Sequence, residues 1–267
     1  MSQNHVGPSE FMGTPYLVSS HQRLARAKTH IRHLDRIVKS FIRRKPYKHV
    51  IEPHSDGVHE IHKLKARRFN LPRSFADVST DAIENMRAAL DQAVYAIAIA
   101  HGIADRRVLK NVAFPFSSSA TDFPSRLTGA CPRFPKEILT LLESFKPYKE
   151  RDNTLWTINE LANTSKHKSL TTVAFQLVAA HVYEISGMGN LSFPPQWDRV
   201  HNEFVLGTAK PNTRVKYEVR FAFNIGLDDL PVLAGKPITG VLNDMACQVE
   251  HIVTEIESEG RKIGLFP

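Results

Sequence analysis

Cysteine is nearly missing from this chain: Cys131 and Cys247 are the only two in 267 residues. They stand far apart, with no CxxC and no ligand partner nearby, which excludes a disulfide framework and argues against a cysteine-held metal. Both read as free thiols in a reducing cytosol. Long apolar runs are missing as well. The longest, Ala93–Ala100, falls far short of the roughly 20 residues that cross a bilayer. The opening MSQNHVGPSEFMGTP has no basic start, apolar middle or small-residue cleavage site, so no secretory signal is expected and the location expected is cytoplasmic. The chain has no GxGxxG, Walker loop, HExxH, GxSxG or kinase set. Dinucleotide binding, nucleotide hydrolysis and zinc-protease chemistry are therefore without support. Nor is there an internal repeat.

Charge, by contrast, is present and unevenly placed. The total is +8. Residues 21–75 hold fifteen lysines and arginines against Asp35, Glu52, Asp56 and Glu60, a net of +11, so the rest of the chain nets −3. Such a concentration suits a surface that faces a polyanion; a solvated basic helix face is the plainer reading. Arg23, Arg26, Arg32, Arg36, Arg43 and Arg44 are the candidate phosphate contacts.

Periodicity gives the organisation. Residues 1 to about 15 are polar and aperiodic, an expected disordered arm, and one α+β domain is expected over 16–267. Leu24, Ala27, Ile31, Leu34, Val38 and Phe41 recur at gaps of three and four, predicting a long basic helix with a narrow apolar stripe. That stripe suits docking on a neighbouring helix, a partner protein or a second copy. Tyr47–Ile51 and Val58–Ala66 flank an Asp56-Gly57 turn and predict a hairpin. A helix is expected over Asp81–Ile99, with Asp81 and Glu84 as a capping box and Gly102 as its stop. Residues 108–116, VLKNVAFPF, are expected as a strand, and 117–135 as a long loop. Pro135–Ser144 and the segment from Asn153 to about His167 are expected helices. Val215–Ile225 alternates without error and is the clearest strand; Leu170–Ser186 and Glu203–Gly207 supply others. An amphipathic helix over 240–258, ended by Gly260, closes the chain. Strands and helices come in separate runs, so the expected fold is an antiparallel sheet with helices packed mainly on one side.

Two helices carry polar residues along an apolar margin. Arg87 and Asp91 are an i,i+4 pair beside Ile83, Met86, Leu90, Val94 and Ile97. Asn159, Asn163 and Lys166 share a side of the other, with His167 one turn beyond Asn163. Lys166 could stabilise a negative transition state, His167 could act as general acid or base, and the amides could position substrate. That set needs no metal and suits phosphodiester cleavage by a 2′-hydroxyl. The competing reading is a polar network that fixes the pairing of the two helices. His49, His54, His59 and His62 fall in or beside the hairpin, but alternation puts His59 and His62 on opposite faces, so no metal and no cofactor is expected.

These two helices resemble those of a widespread group of uncharacterised bacterial proteins, which pair an N-L-R-x-A-L-D-H-like helix with a later N-x-x-K-H-like one. Asn85, Arg87, Leu90, Asp91 and Tyr95 fit the first pattern, with Gln92 in place of its histidine. Asn163, Lys166 and His167 fit the second. The group is distantly similar to HEPN proteins, many of them metal-independent ribonucleases built on an arginine and a histidine with four to six residues between them. Arg23 and His30, Arg26 and His33, and Arg44 and His49 have that spacing here. What the resemblance and the charge together imply is a protein associated with RNA or another nucleic acid, with metal-independent RNA cleavage as the activity. The alternatives are a non-catalytic interaction or structural module of a mobile-element or stress operon, and a binder of a small polar ligand between the two helices under the 115–134 loop.

Overall fold

The computed structural model describes residues 16–44, 47–66, 72–149, 153–165, 171–186, 196–198, 203–226 and 238–267. The expected N-terminal arm lies outside them. The protein is α+β, opened by the long helix α1 (Val18–Arg43) and closed by the helix α7 (Ile238–Lys262). Its chain divides into two compact units, one of residues 1–28, 83–160 and 245–267, the other of 29–82 and 161–244.

The first unit is helical. It holds most of α2 (Ser74–Ala100), the short α3 (Arg106–Leu109), α4 (Phe123–Ala130), α5 (Lys136–Ser144) and most of α6 (Asn153–Ser165). Ile83, Met86, Leu90, Val94 and Ile97 of α2 are fully buried, as their spacing predicts. The alanines of α2 leave room for a close neighbour, and the Ser20 hydroxyl of α1 donates to the Ala89 carbonyl at 2.6 Å. His21 with Glu257 (2.8 Å) and Lys28 with Glu250 (2.6 Å) join α1 to α7. Gly102, at φ +84°, stops α2 with its N–H on the Ile99 carbonyl.

Four expectations need correction here. Helix α2 begins at Ser74, so Asp81 and Glu84 lie in its interior and form no capping box. Ser79 returns its hydroxyl to the Phe75 carbonyl (2.7 Å), which lets the Ser/Thr-containing lead-in stay helical. Residues 108–116 are not a strand: Pro115 has no N–H to give, and the Phe114 and Ala113 N–H groups go to Asp91 and to the Ala130 carbonyl. The long loop contains α4, anchored by buried Phe123, Leu127 and Ala130. Gly260 does not end α7 but lies within it, under the Phe266 ring, where a Cβ would sit 2.4 Å from a ring carbon.

The second unit carries the strands. Strands β1 (Tyr47–Pro53) and β2 (Glu60–Ala66) form the expected hairpin, in register from Tyr47 opposite Ala66 to Pro53 opposite Glu60. Gly57 takes φ +70° in the turn, and the Asp56 carboxylate accepts the Val58 and His59 N–H groups at 2.8 and 2.9 Å. The β3 strand (Thr171–Ser186) pairs antiparallel with β6 (Arg214–Gly226). The β4 strand (Gln196–Asp198) and β5 (Glu203–Ala209) extend the hairpin into a sheet of order β1-β2-β5-β4. On one face of that sheet Lys63 meets Glu203 at 2.5 Å and Glu52 at 2.8 Å, and Lys65 meets the same two carboxylates. Hydrogen bonds from Lys63 and Lys65 hold the Glu52 carboxyl down at about 2.

The α1 stripe is core rather than a docking edge. Leu24, Ala27, Ile31 and Leu34 are at most 3% exposed, and burying each leucine or isoleucine side chain contributes about 1.5–3 kcal/mol. Phe41 continues it, edge-to-face with Phe75 at 5.7 Å. The face offered for a partner or second copy is thus occupied from within the chain. Among the described residues no helix is long and apolar enough to cross a membrane.

Candidate functional site

Arg87, Asp91 and Asn159 do come together, in the first unit. Arg87 Nη1 donates to Asn159 Oδ1 at 2.5 Å, bridging α2 to α6. Its Nε lies 3.2 Å from Asp91 Oδ2, and its guanidinium carbon stands 4.6 Å from the centre of the Phe116 ring. Asp91 Oδ1 accepts the Phe114 N–H at 2.9 Å. Asn159 Nδ2 reaches Glu160 Oε1 at 3.4 Å. The arginine holds α6 and the aspartate holds the 112–116 segment against α2, while Arg87 Nε meets Asp91 as an ion pair without hydrogen-bond geometry. A guanidinium stacked on one ring and bonded to an amide and a carboxylate is a clamp, since planar donors at several angles satisfy several partners at once.

Asn163, one turn past Asn159 on α6, is exposed. Lys166 and His167 lie outside the described residues.

The six arginines divide in two. Arg23 is committed inward, with Nη1 on Asn85 Oδ1 at 3.3 Å and Nε 3.2 Å from the Gln92 amide oxygen. Gln92 in turn donates to the Ser19 carbonyl at 3.0 Å and so ties α2 to α1. Arg26, Arg32, Arg36, Arg43 and Arg44 are exposed. Arg32 gives one N–H to Thr29 Oγ1 at 3.0 Å, and Arg43 reaches back to the Lys39 carbonyl at 3.5 Å. Arg32, Arg36, Lys39 and Arg43 follow one another at gaps of four, three and four, a single stripe about 16 Å long on the solvent side of α1.

The histidines also separate. His54 and His59 both face Asp56, at 3.1 and 2.6 Å, and serve the turn. His49 and His62 lie side by side on the hairpin, Nε2 to Nδ1 3.1 Å, with one ring donating to the other. His62 is fully buried, its Nε2 without a hydrogen-bond partner among the described residues. Burial lowers the pKa of both rings; His62 lowers that of His49 further, while Glu60 opposes the shift at His62. Among the described residues no three His, Cys, Asp or Glu side chains converge as a metal site. Cys131 is buried, which pushes its thiol up to about 12, and Cys247 is exposed.

One feature escaped the sequence reading. Thr29, Arg32, Asp35 and Arg36 of α1 and Thr239 and Asn243 of α7 line a cleft of about 690 Å³ in the second unit. Arg32 and Arg36 stood out in the sequence as basic residues, but not the concavity around them; Asp35 beside them meets Lys39 at 2.7 Å. Its α7 side comes from a segment some 200 residues away along the chain, which no local pattern links to α1. Comparison of the chain with family models, with curated proteins and with solved structures gives no match.

Proposed function

We propose that this is an RNA-associated protein that grips the phosphate backbone through α1. The observation that carries this reading is the stripe Arg32, Arg36, Lys39 and Arg43, continued by Arg44. Lys39 pairs with Asp35, while Arg36, Arg43 and Arg44 are exposed and make no ion pair among the described residues. Exposed guanidiniums match phosphate oxygens with two parallel N–H groups and are less strongly hydrated than ammonium groups. Binding of this kind releases counterions, so affinity falls with salt. Four phosphate contacts on a single strand give a log–log slope of roughly −3.

The Arg87 cluster lends cleavage no support. Its members hold α2, α6 and the 112–116 segment together, and none is left poised at a reacting atom. Metal-independent cleavage would rest on Lys166 and His167 instead. The experiment is anisotropy of a labelled single-stranded RNA titrated with the protein at several salt concentrations, with chelator present and the RNA then run on a gel. Steeply salt-dependent binding with intact RNA is expected. No binding at low salt overturns the proposal; cleavage abolished by His167→Ala would restore the nuclease reading.

A further inference from the structure

The outer face of α1 carries two cationic poles rather than an even row. Arg36 makes one, and Arg43 with Arg44 makes the other; all three are exposed, with no ion pair among the described residues. Lys39, the cation between them along the helix, is drawn to Asp35 at 2.7 Å, and that pair adds no net charge to the row. Arg43 stands about 10 Å beyond Arg36 along the helix axis. The helix beneath is held in place. Ile31 and Leu34 are buried near the first pole, and Phe41 packs edge-to-face on Phe75 at 5.7 Å near the second. The spacing of the poles is therefore set before any ligand arrives, which lowers the cost of binding one that matches it.

A single strand offers one row of phosphates, and an unbroken line of cations follows such a row best. A duplex offers two rows, separated by a groove whose floor carries no phosphate. Two poles about 10 Å apart, with arginine side chains adding reach, suit the two banks of a groove; the major groove of B-form DNA is, for scale, about 12 Å wide. In A-form RNA the major groove is deep and narrow, whereas the minor groove is wide and shallow. Helix α1 has one free side, since the other is packed, and a shallow groove can be crossed without insertion.

We propose that α1 lies across the minor groove of double-stranded RNA, with Arg36 on the phosphates of one strand and Arg43 and Arg44 on those of the other. This rests on the RNA-binding reading and names the form of RNA that is bound. All of these contacts are to the backbone, so base sequence should matter little. The test measures anisotropy for a short RNA duplex, for one of its strands alone, for the DNA duplex of the same sequence, and for RNA duplexes with either strand replaced by an uncharged methylphosphonate. Wild type should prefer the RNA duplex to the single strand by about tenfold, the worth of one charge-assisted contact. Neutralising either strand should remove that preference. Arg36→Gln and Arg43→Gln should each lower the salt slope on the duplex by roughly 0.9. Asp35→Asn, which releases Lys39 into the row, should tighten the single strand more than the duplex, an effect that mere structural damage would not produce. Thermal melting of each variant shows that it is folded. If wild type binds neither form of RNA, the underlying reading fails. If the single strand binds as tightly as the duplex, or a duplex with one neutral strand binds like the fully charged one, the groove-crossing geometry is overturned while RNA binding stands. Tighter binding of duplex DNA than of duplex RNA overturns the A-form assignment.

Discussion

Arg87 and Arg36 are the same residue on two long helices, and the chain uses them in opposite ways. Around Arg87 every polar group faces another: an amide on α6, a carboxylate one turn along α2, a backbone N–H in the following segment, an aromatic ring. Around Arg36 the neighbours are polar, the guanidinium itself bonds to none of the described residues, and it meets solvent. The sequence motif is strongest at Arg87, and the charge is densest around Arg36. A patterned polar group at a helix margin is as well explained by the need to satisfy buried donors as by catalysis. An arginine with no internal partner has no such explanation.

The contrast can be broken most severely beneath the basic stripe. Leu34 is on the same helix as Arg36 and fully buried. Leu34→Asp should cost more than about 4 kcal/mol and leave little folded protein, because it buries an unpaired charge and opens a cavity. Far-UV circular dichroism and urea unfolding read the result. A folded variant with altered oligomeric state would mean that this stripe is a docking face after all.

A smaller loss is expected at the clamp. Arg87→Ala strands Asn159 and Asp91 and removes the ring contact, a cost of about 2–3 kcal/mol at these part-buried positions. Arg87→Lys keeps the charge but not the fork, and should recover less than half of that. Urea midpoints of the three proteins decide it. Were Arg87→Ala as stable as wild type, the network would not be structural, and the catalytic reading of Arg87 and Asp91 would regain its weight.

Local pattern told most about the elements and least about the site. Strict alternation in Val215–Ile225, the Asp-Gly turn and the three-four stripes of α1, α2 and α7 each reflect a single periodicity, and each element formed. The misplaced segments depend on partners remote in the chain: VLKNVAFPF gives its N–H groups to Asp91 and Ala130, and α4 exists because Phe123 and Leu127 find a core. The α1 stripe looked narrow because the alternating gaps mimic a coiled-coil seam, yet a neighbour on more than one side buries it. Arg87, Asp91 and Asn159 could be grouped from spacing alone, whereas the cleft could not, since Asn243 and Arg36 share no pattern.

Acid should expose a third, intermediate case, the hairpin histidines. His49 and His62 have folded-state pKa values below the ordinary 6.5, so the unfolded chain binds protons that the folded one refuses. Their contribution is whole above pH 6.5 and is lost as pH falls from there toward the lowered folded-state values. Glu52, held at about 2 by Lys63 and Lys65, adds its own loss only below about 4.5. The melting temperature should therefore begin to fall between pH 6.5 and 5, ahead of the carboxylates, and His62→Leu should flatten that part of the curve. A profile flat down to pH 5 in wild type would show that the two rings take up protons in the folded protein as readily as in the unfolded chain.

The smallest effect separates the two arginines most cleanly. Arg36 is exposed and bonded to nothing among the described residues, so Arg36→Gln should change stability by no more than about 0.5 kcal/mol. Arg44→Gln, just past the end of α1, should be equally silent. If both nonetheless weaken RNA binding while Arg87→Lys, measured where it is fully folded, does not, the arginines of α1 act on a ligand and that of α2 acts on the fold. If Arg36→Gln instead unfolds the protein as readily as Arg87→Ala, the cleft is held together by its own arginine, and the solvent-facing stripe is scaffold in the same sense as the clamp.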